Sequence, residues 1–181
     1  MTETALNPVL VIMGVSGSGK STVAGLLADR LGWDVAEGDE LHPASNVAKM
    51  QAGEPLTDED RWPWLESVAG WIRRHTAAGE PGIITCSALK RRYRDVLRGD
   101  GVVFVFLDGS KDRISDRLAS RRGHFMPPAL LDSQFEALEA PTADEDALTL
   151  SASAAPTDEV QEIIDRLRIR LDSDPRRIPR S

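Results

Sequence analysis

The chain has 181 residues, of which 41% are hydrophobic, and it carries a formal net charge of −7. This length allows one sizeable hydrophobic core and is short for two, so a single domain is predicted over 1–181. The acidic balance argues against a nucleic-acid partner, because binding a phosphate backbone requires clustered excess Lys and Arg. Basic residues are concentrated locally, at 90–98 and 111–122, which suits a small anionic substrate.

The cysteine content and the apolar runs indicate where the protein acts. Cys86 is the single cysteine, which excludes an intramolecular disulfide and indicates a reducing compartment. No basic leader precedes the first apolar run at Val9, and that run is far shorter than the roughly 20 residues of a membrane-spanning helix. We therefore expect a cytoplasmic protein with no membrane partner.

The stretch from Val9 to Leu31 carries the clearest functional signal. An apolar, β-branched run precedes Gly14-Val15-Ser16-Gly17-Ser18-Gly19-Lys20-Ser21, which fits G-x-x-x-x-G-K-[ST], and residues at helical spacing follow it. Glycines let successive backbone N–H groups face one anion, and the helix adds its positive end. The pattern predicts binding of a nucleotide polyphosphate, with Lys20 on the β- and γ-phosphates and the Ser21 hydroxyl on Mg²⁺. Thr22 is the weaker metal candidate, and a chance match is disfavoured by the strand and helix on either side.

The next segment supplies an acidic group for the same site. A short second strand is predicted over 33–36, and Glu37-Gly38-Asp39-Glu40-Leu41-His42 follows it. Ligands bind at the carboxyl ends of parallel strands, so Asp39 is expected to face the phosphates and to share the metal with Ser21. The polar, helical stretch that follows is predicted to be an insertion over about 40–65. Thr57 to Asp60 forms a capping signal for a longer helix.

Three tryptophans, Trp62, Trp64 and Trp71, fall within that longer helix. They could line a sugar site, but their helical spacing is more typical of packing, and we prefer the core interpretation.

A third strand over 82–87 leads into a basic helix predicted over 88–98. Lys90 falls in its first turn, where the helix dipole disfavours a cation unless an anion is bound nearby. Substrate contact is therefore preferred for Lys90. A solvated charged face is the alternative, and it accounts for Arg92 and Arg98.

The second half of the chain predicts two further strands and a lid. A strong apolar strand over 102–107 ends at Asp108, which fits either a magnesium-side acid or a turn before a helix cap, and we prefer the cap. In the helix over about 110–121, Arg113, Arg117 and Arg121 recur at four-residue intervals. Arg121 and Arg122 precede a glycine and two prolines, which predicts a lid over about 119–130 that closes on the phosphoryl group. An exposed stripe is the alternative and fits Arg113.

The chain ends with two helices and a strand. A helix over 127–139 carries Gln134 as its odd polar member, and the last strand is predicted over 147–151. The loop over 152–157 could flank an adenine base. A final amphipathic helix over about 158–171 precedes a polar tail, 172–181, that is expected to be flexible.

Several of these segments together resemble the gluconate kinase family, small P-loop kinases that phosphorylate D-gluconate on O6. Beyond the phosphate loop, the resemblance is carried by Gly38-Asp39-x-Leu41-His42-Pro43-x-x-Asn46-x-x-Lys49-Met50, Gly53-x-Pro55-Leu56-x-Asp58-x-Asp60-Arg61-x-Pro63-Trp64-Leu65, Cys86-Ser87-Ala88-Leu89-Lys90-Arg91-x-Tyr93-Arg94-Asp95, Arg122-Gly123-His124-Phe125-Met126 and Leu130-Leu131-x-Ser133-Gln134-Phe135-x-x-Leu138-Glu139-x-Pro141. The resemblance covers most of the chain and leaves the tail from Asp172 outside.

The resemblance implies a fold, a reaction and roles for particular residues. The fold is the α/β type of the nucleoside-monophosphate kinases, with a five-stranded parallel sheet flanked by helices, a lid and a substrate-binding insertion. The reaction is ATP + D-gluconate = ADP + 6-phospho-D-gluconate, which requires Mg²⁺ and feeds the pentose phosphate pathway, in enzymes that are commonly homodimers. The implied assignments are Asp39 for orienting or deprotonating the hydroxyl; His42, Lys49, Arg61, Lys90, Arg94 and Gln134 for the sugar acid; Arg117 for the nucleotide; and Arg121, Arg122 and His124 for the lid.

Two rival functions remain open from the sequence. One is another small-metabolite kinase, such as one similar to shikimate kinase, and the segment from His42 to Leu65 favours gluconate over it. The other is a nucleotide-dependent switch, but a guanine-specific N-K-x-D signature does not occur in the sequence.

Overall fold

The structure is a computed structural model that describes residues 8–120, 128–152 and 155–172. The strands and helices in chain order are β1 (Val9–Met13), α1 (Lys20–Leu31), β2 (Asp34–Glu37), α2 (Ala44–Gln51), α3 (Asp58–Ala78), β3 (Gly82–Thr85), α4 (Arg91–Leu97), β4 (Val102–Asp108), α5 (Lys111–Ser120), α6 (Pro128–Ala137), β5 (Leu148–Ser151) and α7 (Pro156–Asp172). Two 3₁₀ turns, Gly38–Leu41 and Ala143–Glu145, complete them. Within the described ranges, no helix is long and apolar enough to cross a membrane.

The five strands form one parallel sheet in the order β2-β3-β1-β4-β5, which confirms the predicted fold class. β1 lies at the centre, where Val11 is paired with Ile84 on one side and Phe104 on the other. The chain builds β2 and β3 on one side of β1 before it crosses to the other side for β4 and β5. Ligands bind in the crevice at such a reversal, and the phosphate loop leaves β1 there.

β1 is enclosed on both faces, which explains its unbroken apolar sequence. Val9, Val11 and Met13 pack in a cluster with residues of α3 and α4, whereas Leu10 and Ile12 pack with α1 and α7. All five side chains are fully buried. The phosphate loop is therefore attached to a strand that is held by two helical layers.

The predicted caps and most predicted elements are found in the structure. Thr57 Oγ1 accepts from the N–H of Asp60 at 3.2 Å, and Asp60 Oδ2 accepts from the N–H of Thr57 at 2.9 Å. Ser110 Oγ accepts from the N–H of Arg113 at 3.4 Å, in agreement with the cap preferred for the turn after Asp108. The second strand lies one residue later than predicted, over Asp34–Glu37.

The three tryptophans differ in exposure. Trp64 is 1% exposed and belongs to the core cluster, and Trp71 packs against the same cluster, as the packing interpretation predicts. Trp62 is more exposed, at 36%.

The start of the basic helix was predicted wrongly. α4 begins at Arg91, and Lys90 is the extended residue before it, with φ −106°. Ala88 has φ +44°, in the left-handed region, so the chain is not helical there. Arg94 donates through Nη1 to the carbonyls of Ala88 (2.9 Å) and Leu89 (3.3 Å). These two oxygens therefore accept from a side chain and not from the backbone N–H groups of a helix.

Candidate active site

The phosphate loop occupies the stretch from Gly14 to Gly19, between β1 and α1. Gly14 has φ +149°, and a Cβ there would lie 2.8 Å from Ser18 Oγ and 3.0 Å from the carbonyl oxygen of Leu107, so only glycine fits. Gly19 caps α1 without a side-chain hydrogen bond, and the first turn contains no acidic residue. The positive end of α1 is thus left for an anion to neutralise.

Lys20 lies folded against this loop. Its Nζ donates to the carbonyl oxygens of Gly14 and Val15, at 3.0 Å each. Burial lowers the pKa of Lys20, and the nearby charge of Asp39 opposes that shift. A phosphate placed beside the ammonium group would offset the same cost of burying a charge.

Glu37 joins the phosphate loop helix to the ends of β2 and β3. Its Oε2 accepts from Ser21 Oγ at 2.9 Å and from Thr85 Oγ1 at 2.7 Å, and Thr85 Oγ1 accepts from the N–H of Gly38 at 3.2 Å. The sequence pattern predicted that Ser21 shares the metal with Asp39, and Glu37 was not predicted as a site residue. The available signal was its position directly at the carboxyl end of a strand, where ligands gather in parallel sheets.

A cavity of about 540 Å³ opens beside the loop. It brings together predicted site residues from four different segments of the chain. These are Ser16, Lys20, Asp39, His42, Arg61 and Gln134. α2 also lines this cavity, through Val47 and Met50, together with residues 52–56. The segment predicted as an insertion therefore lines the same cavity as the phosphate loop.

His42 is supported by the core residue Trp64. Their rings stack with centroids 4.1 Å apart, and Trp64 Nε1 donates to the carbonyl of Gly38 at 2.8 Å. The amide of Asn46 donates to the carbonyl of Asp60 (2.8 Å) and lies 3.2 Å from His42 Nδ1. Burial is the main cause that lowers the pKa of His42. A neutral ring that accepts at Nδ1 carries its proton on Nε2.

A second cavity of about 370 Å³ continues from the first and shares Arg61 and Gln134 with it. Lys90 and Tyr93 also line it. The Tyr93 ring is surrounded by cations, with Arg61 Cζ at 5.4 Å and Lys90 Nζ at 5.6 Å from its centroid. Arg61 Nε is buried and has no hydrogen-bond partner in the described part of the chain. The cavity therefore offers cationic groups that an anionic ligand could use.

Asp58 is the carboxylate that pairs with the cations around Tyr93. It accepts from Tyr93 Oη and pairs with Arg92, and it lies 3.5 Å from Lys90 Nζ. The Tyr93 hydrogen bond, followed by the two cations, lowers the pKa of Asp58. Burial and the neighbouring carboxylate raise the pKa of Tyr93 to about 12, so its hydroxyl stays a donor.

Two predicted substrate residues lie elsewhere. Arg94 is 1% exposed, and its Nε and Nη2 donate to Glu145 Oε1 and Oε2 at 2.7 Å and 3.0 Å. This buried pairing contradicts the prediction that Arg94 contacts substrate. Lys49 pairs with Asp60 at 2.8 Å and is not among the residues that line either cavity, and the pairing helps to lower the pKa of Asp60 to about 2.

The remaining predicted residues are only partly described. Residues 121–127, which include Arg121, Arg122 and His124, lie outside the described residues. The tail from 173 lies outside them as well. Arg117 belongs to α5, but its side chain is not described, and Thr22 is exposed on α1. A further cavity of about 230 Å³ is lined by Asp108 and Ala152 among others, at the start of the loop predicted to flank adenine.

A parallel sheet with this loop at its reversal, an acidic turn facing the lysine and a cavity of metabolite size define a P-loop kinase of small molecules. The chain also matches the family model described as AAA domain over residues 9–141. It belongs to the gluconokinase family, as the sequence resemblance predicted.

Curated relatives and solved structures carry this assignment. The chain is 51% identical over 166 residues to the gluconokinase of Gluconobacter oxydans (strain 621H), covering 90% of this chain and 93% of the relative. It is 50% identical over 137 residues to the thermosensitive gluconokinase of Escherichia coli (strain K12), covering 75% and 73%. A gluconokinase structure from Sinorhizobium meliloti 1021 superposes with a TM-score of 0.84 at 42% identity, covering 92% of this chain and 95% of that one. A shikimate kinase from Bacteroides thetaiotaomicron, at 19% identity and a TM-score of 0.64, covers 89% of this chain and 98% of its own and shares the fold alone.

Proposed function

We propose that this protein transfers the γ-phosphoryl group of ATP to the terminal hydroxyl of D-gluconate, forming ADP and 6-phospho-D-gluconate. The observation that carries the proposal is the cavity in which Lys20, Asp39, His42 and Arg61 meet. Its volume of about 540 Å³ lies within the usual range for small-ligand sites. Membership of the gluconokinase family supports gluconate as the acceptor.

The residues divide between the two reacting groups. Phosphoryl transfer has a loose transition state, so catalysis is mainly positioning and charge stabilisation. Lys20 would neutralise charge on the phosphates, and Asp39 would orient the attacking hydroxyl and accept its proton. Arg117, Arg121, Arg122 and, at the lid, His124 remain proposed contacts of the closed complex.

The acceptor would lie along the two connected cavities. Arg61 and Lys90 line the second cavity, and Arg61 Nε, which has no hydrogen-bond partner among the described residues, supports a carboxylate there. The Nε2–H of His42 would donate to a sugar hydroxyl in the first cavity. A sugar acid would thereby extend from the cationic end toward Asp39.

Magnesium would be held at the junction of α1 and β2. Ser21 and Glu37 already share a hydrogen bond, and Asp39, which lines the first cavity, follows Glu37 two residues later. Mg²⁺ prefers oxygen ligands and usually takes one or two protein carboxylates together with phosphates and water, so these residues fit it. When bound, the ion would neutralise charge on the β- and γ-phosphates.

We also propose that the enzyme acts in the cytoplasm as a homodimer, as the family resemblance implies. Light scattering after gel filtration would give twice the 19.8 kDa of the chain for a dimer. The cavity beside Asp108 and Ala152 is the proposed adenine site.

An ADP-release assay with ATP, Mg²⁺ and a panel of acceptors tests the function. We expect turnover with D-gluconate and little with sorbitol, which lacks the carboxylate, or with shikimate. The variant Asp39→Asn should lose most turnover while ATP affinity stays nearly unchanged, and Glu40→Gln, an exposed residue of the same turn, is the matched control. Turnover with shikimate but not gluconate would overturn the proposal, and an active Asp39→Asn would remove Asp39 from the mechanism.

A further inference from the structure

Gln134 on α6 forms a two-point contact with the phosphate loop. Its Oε1 accepts from the backbone N–H of Ser16 at 2.7 Å, and its Nε2 donates to Ser16 Oγ at 3.0 Å. The two residues are 118 positions apart in the chain, so the contact is made by the fold. The sequence resemblance assigned Gln134 to the sugar acid, and the structure gives it this different partner.

α6 is fixed in the position that this contact needs. Leu131 of α6 packs in one buried cluster with Val15 of the loop, next to Ser16. Beyond the other end of the helix, the N–H of Glu139 donates to the carbonyl of Leu89 at 2.7 Å. The Gln134 amide is therefore held opposite Ser16 by contacts on both sides.

The geometry fixes the hydrogen-bond polarity of the Ser16 hydroxyl. A backbone N–H can only donate, so the amide of Gln134 must turn its oxygen toward Ser16 N and its nitrogen toward Ser16 Oγ. That nitrogen can only donate, so Oγ must accept from it. The hydroxyl proton of Ser16 is then left for another acceptor, and Ser16 lines the cavity that contains Lys20 and Asp39.

We propose that Gln134 is a positioning residue that sets the Ser16 hydroxyl as a hydrogen-bond donor to the transferring phosphoryl group. The inference rests on the proposed kinase function and deepens it. Donors aimed at oxygens that gain charge in the transition state accelerate transfer, and a hydroxyl that was free to rotate would spend part of its time accepting instead. Gln134 acts through Ser16 and does not itself touch the phosphate.

A double-mutant cycle tests the proposal. Gln134→Met keeps the length of the side chain and removes both hydrogen bonds, and Ser16→Ala removes the hydroxyl and keeps the N–H. We expect Ser16→Ala to lower kcat by about 10²–10³-fold, the effect of losing one such donor. Gln134→Met leaves the hydroxyl free to rotate and should lower kcat by about 10- to 100-fold, and in both variants KM for ATP and gluconate should change by less than about threefold. The double variant should be no slower than the slower single variant, because both changes remove the same donor. Gln161→Met, on the exposed face of α7, is the matched control.

Acceptor-free ATP hydrolysis provides a second readout. Hydrolysis should fall in the same order across the variants, because water would then attack the same phosphorus. If the unmodified protein hydrolyses ATP but does not phosphorylate gluconate, the proposed substrate fails while this readout still tests Gln134. If Gln134→Met does not fold, Gln134→Glu replaces it. A carboxylate would accept from both the N–H and the hydroxyl of Ser16, so the proposal expects at least as large a loss of kcat.

Three results would overturn the inference. Additive losses in the double variant would mean that Gln134 does not act through the Ser16 hydroxyl. A raised KM for gluconate with unchanged kcat in Gln134→Met would identify direct substrate binding instead. Full activity of folded Gln134→Met and Gln134→Glu would exclude any positioning role.

Discussion

Replacing Glu145 with glutamine removes one charge from the buried pair that holds Arg94. Both side chains are 1% exposed, and Arg98 adds a second contact to Glu145 at 2.6 Å. These partners, Arg94 above all, lower the pKa of Glu145 from 4.5 to about 2, against the cost of burial. That difference corresponds to about 3 kcal/mol of folding free energy, similar to the 3–5 kcal/mol typical of breaking a buried pair.

The sign of the pH dependence follows from the lowered pKa. Because the folded protein binds this proton less readily than the unfolded chain, the contribution of Glu145 is complete above about pH 4.5 and is lost as the pH falls toward 2. Glu145→Gln should therefore lower the free energy of unfolding by about 3 kcal/mol at pH 7, and the difference should shrink in acid. Urea unfolding followed by tryptophan fluorescence between pH 3 and pH 7 measures both.

Asp144→Asn is the matched control, since Asp144 pairs with Arg91 at the surface of the same turn. Its effect should be much smaller, because exposed ion pairs contribute little. A Glu145→Gln difference that is absent at pH 7, or that stays constant down to pH 3, would refute the assignment of Arg94 and Glu145 as a stabilising pair.

Three further changes test the site. Gly38→Ala places a Cβ 2.0 Å from the carbonyl oxygen of Thr85 and should lower the free energy of unfolding by about 1–3 kcal/mol or more. Gly70→Ala is the control, because its Cβ has room in α3 and the change should be neutral or stabilising, and thermal unfolding compares the two variants. Lys20→Met should lower kcat by about 10²–10³ in the ADP-release assay, and an unchanged rate would exclude its phosphate role. Glu37→Gln should raise the Mg²⁺ concentration needed for half-maximal activity by about tenfold or more, and a magnesium titration that matches the unmodified enzyme would remove Glu37 from the metal site.

The individual strands and the phosphate loop could be predicted because their signals are local, whereas the fold type came from the family resemblance. β1 is a continuous apolar run, and the loop that follows it has glycines at fixed spacing, so a short window of sequence contains the whole pattern. The cap at Thr57 was predictable for the same reason, because its two hydrogen bonds join residues only three positions apart.

The partners of the charged residues were less accessible to sequence reasoning. Arg94 was assigned to substrate through the family resemblance, and the residue that neutralises it, Glu145, is 51 positions away. Glu37 was missed for a similar reason, since its importance comes from Ser21 and Thr85, which other elements bring to it. A sequence window shows which groups are charged, but the fold decides which of those charges remain available to a ligand.

The enclosure of β1 has a consequence for altering the substrate range of this enzyme. The phosphate loop follows β1, whose five side chains are fully buried. By contrast, Val47 and Met50 of the short helix α2, which line the same cavity, are each 36% exposed. Side chains can be exchanged at these two positions at small cost in stability, because little packing is lost there. New acceptor acids could therefore be selected by diversifying Val47, Met50 and residues 52–56 while the phosphate loop and the bonded residues Asn46 and Lys49 are left unchanged.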